Sequence, residues 1–581
     1  MINKKYYSIC QDFLKTKNQP EKSCKMKANH QKYIVALLSA FILAMVAPPT
    51  ISAKTLVLGL NITNYDGNKI QVNPGDTISI TAGDRDHLRI CNIHGDSLNP
   101  VTIINGPGLV KVGTTVTHFA VIIDDCSFFR FTGTGDPQYK YGIKIWRTPY
   151  GRNGLSIDGT STNYEIDHIE VCRTGFAGIC ANPKPDCDDR INRGNFVRRN
   201  TEFHDNYIHS TAGEGLYIGH SFYEGYTITC DSVPVLKYPH ELHGVKIYNN
   251  IIDSAGYDAI QVGCATKGCY IFNNKITNYG TGNVQDQKYG IILNPGTGGE
   301  CYGNSIIKGT GTGIGIFGIG DNKIYNNLIV NPGYPLSDTM TTTRSMGIFC
   351  DDRFLIENPS FKIINNTIVS PKGDGIRFYS TKTHNNQISN NVILHPGTFG
   401  TYGSWEAPNT CYVNTKNAVD AQITNNYYSN VQPGENMISN ADSLYNFCKL
   451  LPIVDAGMDV SLFGITTDFF GVDRAINGIS DIGAFEYPVG TAQLQRAQSI
   501  KIIPRNSIGE LYIYSEKKEK IEAISIYQLS GQLIMRLTPQ CDNISIPVDS
   551  KLNSGIYLVC VNTENDECKS KISIYSQRQP L

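Results

Sequence analysis

The feature that most constrains the fold is an asparagine pair that returns at a nearly fixed interval. Asn249-Asn250, Asn273-Asn274, Asn326-Asn327, Asn365-Asn366, Asn390-Asn391 and Asn425-Asn426 all follow a short β-rich triplet such as Val245-Lys246-Ile247 or Tyr270-Ile271-Phe272. His204-Asp205-Asn206 and Tyr302-Gly303-Asn304 fill the same slot. Counted on the second member, residue 250 to 274 is 24 positions, 304 to 327 is 23 and 366 to 391 is 25. After each pair come a short apolar run, a turn bearing glycine, and another strand, as in Ala259-Ile260-Gln261-Val262 and Gly290-Ile291-Ile292-Leu293. A strand-rich unit of this period cannot bury its apolar side alone, so it must stack on copies of itself as a solenoid. Asparagine suits the bend because it tolerates left-handed backbone geometry. Stacked from coil to coil, its amide can also pass hydrogen bonds along the turn.

On these residues the chain resembles the right-handed parallel β-helix of pectate lyases and polygalacturonases, asparagine ladder included. The likeness covers roughly three quarters of the chain on the repeat reading. It implies three sheets: the strand with the Gly-Ile-x-Ile pattern forms the first, the triplet before the Asn pair the second, and the run after it the third. Insertions at 182–199, 219–243 and 351–360 follow the first-sheet strand, while those at 278–288, 331–345 and 396–411 precede it. They border one sheet from both sides and are expected to wall a groove.

Beyond residue 499 the pattern changes. Ile524-Ser-Ile-Tyr-Gln-Leu-Ser-Gly-Gln-Leu-Ile534 and Leu552-Asn-Ser-Gly-Ile-Tyr-Leu-Val559 are short alternating strands with a Ser-Gly turn. This stretch resembles the C-terminal sorting domain of the type IX secretion system of Bacteroidetes, which implies contact with secretion machinery and release or attachment at the cell surface. The expected fold is all-β, a right-handed parallel β-helix followed by a small C-terminal β-sandwich. Its divisions are an N-terminal extension and signal peptide (1–53), the β-helix (54–487), a linker (488–498) and the sorting sandwich (499–581).

Lys27 and Lys32 precede an apolar run from Ile34 to Ala47, and Ile51-Ser52-Ala53 reads as a cleavage site, so export with no span in the mature chain is expected. The net charge of −1 carries no basic block that would draw in nucleic acid. Of seventeen cysteines, Cys10 and Cys24 precede the signal, leaving an odd fifteen. Local disulfides are open at Cys264/Cys269 and Cys560/Cys568, while Cys172 and Cys350 fall where a thiol simply packs.

Acids recur just before first-sheet strands: Glu214, Asp258 and Asp374. Glu214 and Asp258 belong to successive coils, which places them roughly 5 Å apart. Two carboxyls that close raise one another's pKa, and one can serve as a general acid. Capping of a turn by bonding backbone N–H groups is the alternative. Polygalacturonases carry catalytic aspartates at this pre-strand position, but the chain lacks their Asn-Thr-Asp, Gly-Asp-Asp, Gly-His-Gly and Arg-Ile-Lys segments, so that mechanism is not transferred. Glu214, Asp258 and His220 are the candidate catalytic residues. Tyr217, Gln261, Lys144, Arg147, Phe349, Arg377 and Tyr379 are the candidate glycan contacts, with Lys144 and Arg377 expected to point outward on the first sheet. Asp351 and Asp352 are candidate ligands for Ca²⁺, which would neutralise a uronic acid in a β-eliminating enzyme. The expected partner is a polysaccharide. The functions left open are lyase, glycosidase, a non-catalytic glycan-binding or adhesive surface protein, and a stalk-like structural role.

Overall fold

The computed structural model describes residues 53–116, 119–318, 320–334, 345–351, 359–397, 412–415, 419–434, 441–449, 451–475, 478–487, 500–505, 510–528, 533–547, 552, 555–564 and 567–574. The proposed signal peptide lies outside them. Three long parallel sheets dominate, of thirteen, twelve and twelve strands, and each strand pairs with its counterpart one coil on. The second sheet holds Val197–His204, Glu241–Tyr248 and Ala265–Phe272, the third Tyr207–Thr211 and Ile251–Ala255, and the first Leu216–Ile218, Ile260–Val262 and Ile291–Leu293. Inward residues such as Ile247, Ile252, Ile260 and Ile271 are fully buried. Aliphatic side chains at period 2 thus fill a continuous interior that no single coil could close.

The asparagine pairs divide their labour. The first member takes the left-handed conformation, at φ 55° for Asn249, 55° for Asn273 and 54° for Asn326, and Asp205 and Gly303 take it in their coils. The second member forms a buried ladder. Asn206 Nδ2 donates to Asn250 Oδ1, Asn250 to Asn274, Asn274 to Asn304 and Asn304 to Asn327, each at 3.0 Å. The same amide nitrogens also donate to main-chain carbonyls, as Asn274 does to Ile247 O at 2.9 Å. The outer side of the second sheet carries a matching stack of rings, His204, Tyr248, Phe272, Tyr302 and Tyr325, with centroids 4.6 to 5.1 Å apart.

The chain divides into two compact units, Met1–Lys362 with Ile368–Gln387 and Leu394–Ala421, and Ile363–Thr367 with Ile388–Ile393 and Gln422–Leu581. In the second unit the ladder runs Asn366, Asn391, Asn426. There the buried Arg474 donates to Gly483 O at 2.9 Å and Glu486 Oε2 at 3.3 Å, tying these three residues together. Residues 500–574 form antiparallel sheets of three and four strands around Ile500, Leu511, Ile513, Ile524, Ile526 and Val559.

Three features differ from expectation. The strand Ile143–Arg147 pairs with Val110–Gly113 and Ile169–Cys172, so Lys144 and Arg147 stand on the third sheet and not the first. The Gly-Ile-x-Ile pattern is a period-2 signature that all three sheets share, so it does not discriminate among them. Cys264 and Cys269 are separate buried thiols, and among the described residues a disulfide joins Cys187 to Cys230, between two insertions. A Cys560/Cys568 link involves a side chain outside the described residues. Finally, the outer face of the first sheet is covered from Gln261 through Phe349 to Arg377, all buried.

Candidate active site

Glu214 and Asp258 occupy matching positions on adjacent coils. Gly215 N donates to Asp258 O at 3.0 Å and Leu216 N to Ala259 O at 2.9 Å, which fixes the two pre-strand turns one above the other. Both side chains are buried. Between them reaches Gln261, whose Cα register partner on the preceding strand is Tyr217. Its amide is satisfied on both atoms in one orientation. The nitrogen donates to Asp258 Oδ2 at 3.2 Å and Glu214 Oε1 at 3.1 Å, while the oxygen accepts from Asn294 Nδ2 at 2.8 Å and Ser221 Oγ at 2.6 Å. Turned the other way, its oxygen would face the carboxylates and its nitrogen the donors.

The hydrogen bonds continue outward. Tyr217 Oη lies 2.9 Å from Ser221 Oγ. Asp258 Oδ1 accepts from Tyr289 N–H at 2.7 Å, so Asp258 does take the turn-bonding role set out above as its alternative. Of the four carboxyl oxygens, Glu214 Oε2 is the one with no hydrogen-bond partner. Burial raises the Glu214 pKa to about 7. Burial likewise raises Asp258 well above the ordinary carboxylate range, opposed by the Tyr289 N–H and assisted by the Glu214 charge. The two acids titrate as a coupled pair that retains a proton near neutrality.

The remaining candidates are dispersed. His220 stacks on Tyr226 with ring centroids 5.0 Å apart, and its Nδ1 accepts from Phe222 N at 3.2 Å, at the foot of the hairpin Tyr226–Cys230 with Val233–Lys237. Burial, with Lys184 nearby, lowers its pKa to about 4, so it is neutral. Phe349 sits in an apolar cluster with Tyr289, Ile292, Phe317 and Met346, and Tyr379 packs against it. Arg377 Nε donates to Asp374 Oδ2 at 2.6 Å, which also accepts from Asn414. Lys144 Nζ is 2.6 Å from Glu170, and Arg147 lies over the Trp146 ring at 4.0 Å. Asp351 N continues the first sheet by donating to Ile316 O at 2.9 Å, and Asp352 lies outside the described residues. Two residues at the pair escaped sequence reasoning. Ser221 and Asn294 come shortly after first-sheet strands, and their position in the loop following the strand was the available signal.

Residues 198–426 match the model of a right-handed β-helix region, and residues 501–575 match that of a secretion system C-terminal sorting domain. The chain is a right-handed β-helix with a secretion sorting tail. The sorting domain makes it a secreted or cell-surface protein and implies interaction with the secretion machinery. No helix among the described residues is long and apolar enough to cross a membrane. No curated protein matches the sequence. Among solved structures, pectate lyase Pel9A is 12% identical with a TM-score of 0.40, covering 76% of this chain and 98% of its own. An alginate lyase from Paenibacillus sp. str. FPU-7 is 12% identical at a TM-score of 0.29, covering 64% and 99%. The tailspike protein gp49 of Acinetobacter baumannii bacteriophage Fri1, a capsular polysaccharide depolymerase, is 8% identical at 0.27, covering 90% and 80%.

Proposed function

We propose that this β-helix cleaves a polysaccharide outside the cell, by acid-assisted hydrolysis at the Glu214–Asp258 pair. The observation that carries the reading is the shared Gln261 amide. One nitrogen within 3.2 Å of one carboxyl and 3.1 Å of the other supports a close pair. Retaining glycosidases hold their carboxyl groups roughly 5 Å apart, whereas inverting pairs leave roughly 6.5–9.5 Å for a water. In this reading the pair gives the one proton it retains to the departing glycosidic oxygen. The carboxyl left ionised supplies the negative charge facing the developing oxocarbenium ion, and Gln261 keeps the two in register. Tyr217, Ser221 and Asn294 would bind sugar hydroxyls at the mouth.

The β-eliminating alternative needs a cation to neutralise a uronic carboxylate. The reading offers less to it, because Lys144 and Arg147 stand on another sheet and Arg377 is paired with Asp374. The test is turnover of uronic-acid and neutral polysaccharides, following reducing ends and the absorbance of unsaturated products together, with Ca²⁺ and with chelator. Reducing ends without unsaturated product, lost in Glu214→Gln with binding retained, are expected. Unsaturated product from both chains would overturn hydrolysis in favour of a lyase. Binding with no turnover on any substrate would leave an adhesive protein in which Asp258 only holds the turn.

A further inference from the structure

A second cluster of chemically active side chains lies away from this pair, on the outer side of the third sheet. Glu170 and Cys172 are two residues apart on Ile169–Cys172 and so face the same way. His209, on Tyr207–Thr211, is the direct register partner of Cys172. The residues between them, Val171 and Ile208, fill the interior, so the three point outward. His209 Nε2 is 3.1 Å from Glu170 Oε1, Cys172 Sγ is 3.9 Å from the same oxygen, and one ligand atom from each residue lies within 4.8 Å of the others. Carboxylate, thiolate and imidazole bind a tetrahedral zinc ion at roughly 2.0–2.3 Å, which spaces the ligand atoms roughly 3.3–3.8 Å apart.

The ring is already oriented for that role. His209 Nδ1 is 3.3 Å from Ser210 Oγ, and the ring stacks on Tyr207 with centroids 4.4 Å apart, which turns Nε2 toward Glu170 and Cys172. Lys144 Nζ lies 2.6 Å from Glu170 Oε1 and is partly exposed, so a metal ion would take its place on that carboxylate. The comparable group Glu165, Asp167 and His204 differs here. Arg130 gives Asp167 two hydrogen bonds, at 2.7 and 2.9 Å, and reaches Glu165 at 3.1 Å, while Thr132 and His168 bond the same Asp167 carboxylate. That group is filled by its own guanidinium.

We propose that Glu170, Cys172 and His209 bind a zinc-type divalent cation on the outer face of the third sheet, with water in the fourth position. Binding displaces the Cys172 thiol proton and the proton on His209 Nε2 to solvent, with no change of oxidation state. Because binding releases protons, uptake strengthens as the pH rises.

The experiment uses the full chain carrying Cys10→Ser, Cys24→Ser, Cys411→Ser, Cys541→Ser, Cys560→Ser and Cys568→Ser, stripped with chelator and kept under inert gas so that the Cys187–Cys230 disulfide stays closed. Zn²⁺ is titrated against a chromogenic competitor at about pH 6 and about pH 8, because proton release on binding makes metal affinity pH-dependent, and Co²⁺ serves as the spectroscopic probe. One equivalent per chain is expected, with a thiolate-to-cobalt charge-transfer band and tighter binding at the higher pH. Cys172→Ser should abolish the band, and Ser210→Ala should weaken binding about tenfold. Lys144→Met, at a partly exposed position with no fold to lose, should tighten it. Absence of a stoichiometric ion, a band that survives Cys172→Ser, or unchanged affinity in Lys144→Met would each overturn the site.

Discussion

Glu214 and Asp258 share a single hydrogen-bond donor, the Gln261 amide nitrogen, at 3.1 and 3.2 Å. The arrangement ties two acids on successive coils into one titrating unit, and it makes the proton on that unit the variable the site depends on. It also leaves Glu214 Oε2 without a partner, in a place where a buried polar atom is costly.

The first prediction concerns the pH profile. With the Glu214 pKa raised to about 7 by burial and Asp258 raised as well, the pair passes from two protons to one as the pH rises through that value. Cleavage should rise along the acid limb of a pH–rate curve with an apparent midpoint near 7. A flat profile from about pH 6 to 8 would remove Glu214 from the catalytic pair.

Stability should move the opposite way from activity in Glu214→Gln. A carboxyl whose folded pKa lies above its unfolded value binds more protons when folded, so its favourable contribution is complete below the unfolded pKa and is lost as the pH rises through the folded one. The neutral amide escapes that loss. At about pH 8 the variant should be more stable than the parent by about 1–3 kcal/mol, read by denaturant unfolding, while losing reducing-end release. A destabilised variant would show that Oε2 bonds a group the fold requires.

Gln261→Leu separates positioning from chemistry. Removing the bridging amide leaves two buried carboxyls without their common donor, costing about 1–3 kcal/mol. The turnover number should fall more than KM rises, and the pH midpoint should shift upward because the amide no longer stabilises either anion. An unchanged midpoint would make Gln261 a packing residue.

Asn274→Ala breaks the ladder at its centre. The amide donates to Asn304, Ile247 O and Phe272 O and accepts from Asn250, so its loss orphans buried groups on three coils. A cost of about 2–4 kcal/mol is expected, measured as a drop in Tm. Asn273→Gly, at the left-handed position, should be nearly neutral because glycine adopts that conformation freely.

The Cys187–Cys230 disulfide joins the 182–199 insertion to the hairpin that carries Tyr226. Closing a loop of this length is worth about 2–4 kcal/mol. Replacing both cysteines by serine should expose the hairpin to limited proteolysis and reduce turnover. The resistance of the asparagine-marked coils 245–334 should stay unchanged. Cleavage spread evenly over the chain would contradict a local role.

Periodicity and local conformation were legible in the chain itself. Asn249 must bend and Asn250 must bond its neighbours above and below, and the same demand returns every coil, so the pattern survives without any knowledge of the fold. The adjacency of Glu214 and Asp258 followed from the same count. What period 2 cannot tell is which of three equivalent sheets a strand joins. Lys144 therefore reads as a first-sheet residue, whereas it stands on the third sheet beside Glu170. Nor can it tell which loop cysteine meets which, because Cys187 and Cys230 approach only after two insertions fold back.

The sequence by itself thus determined a stacked all-β solenoid, its asparagine ladder, its sorting tail and the placing of two acids one coil apart, all of them consequences of a repeat in which each coil dictates the next. Only the tertiary structure decided that Gln261 bridges those acids, that the outer face of the first sheet is buried from Gln261 to Arg377 and that Glu170, Cys172 and His209 converge. Those relations depend on side-chain direction and on irregular insertions, where no repeat constrains the chain and burial sets the charge state of each group.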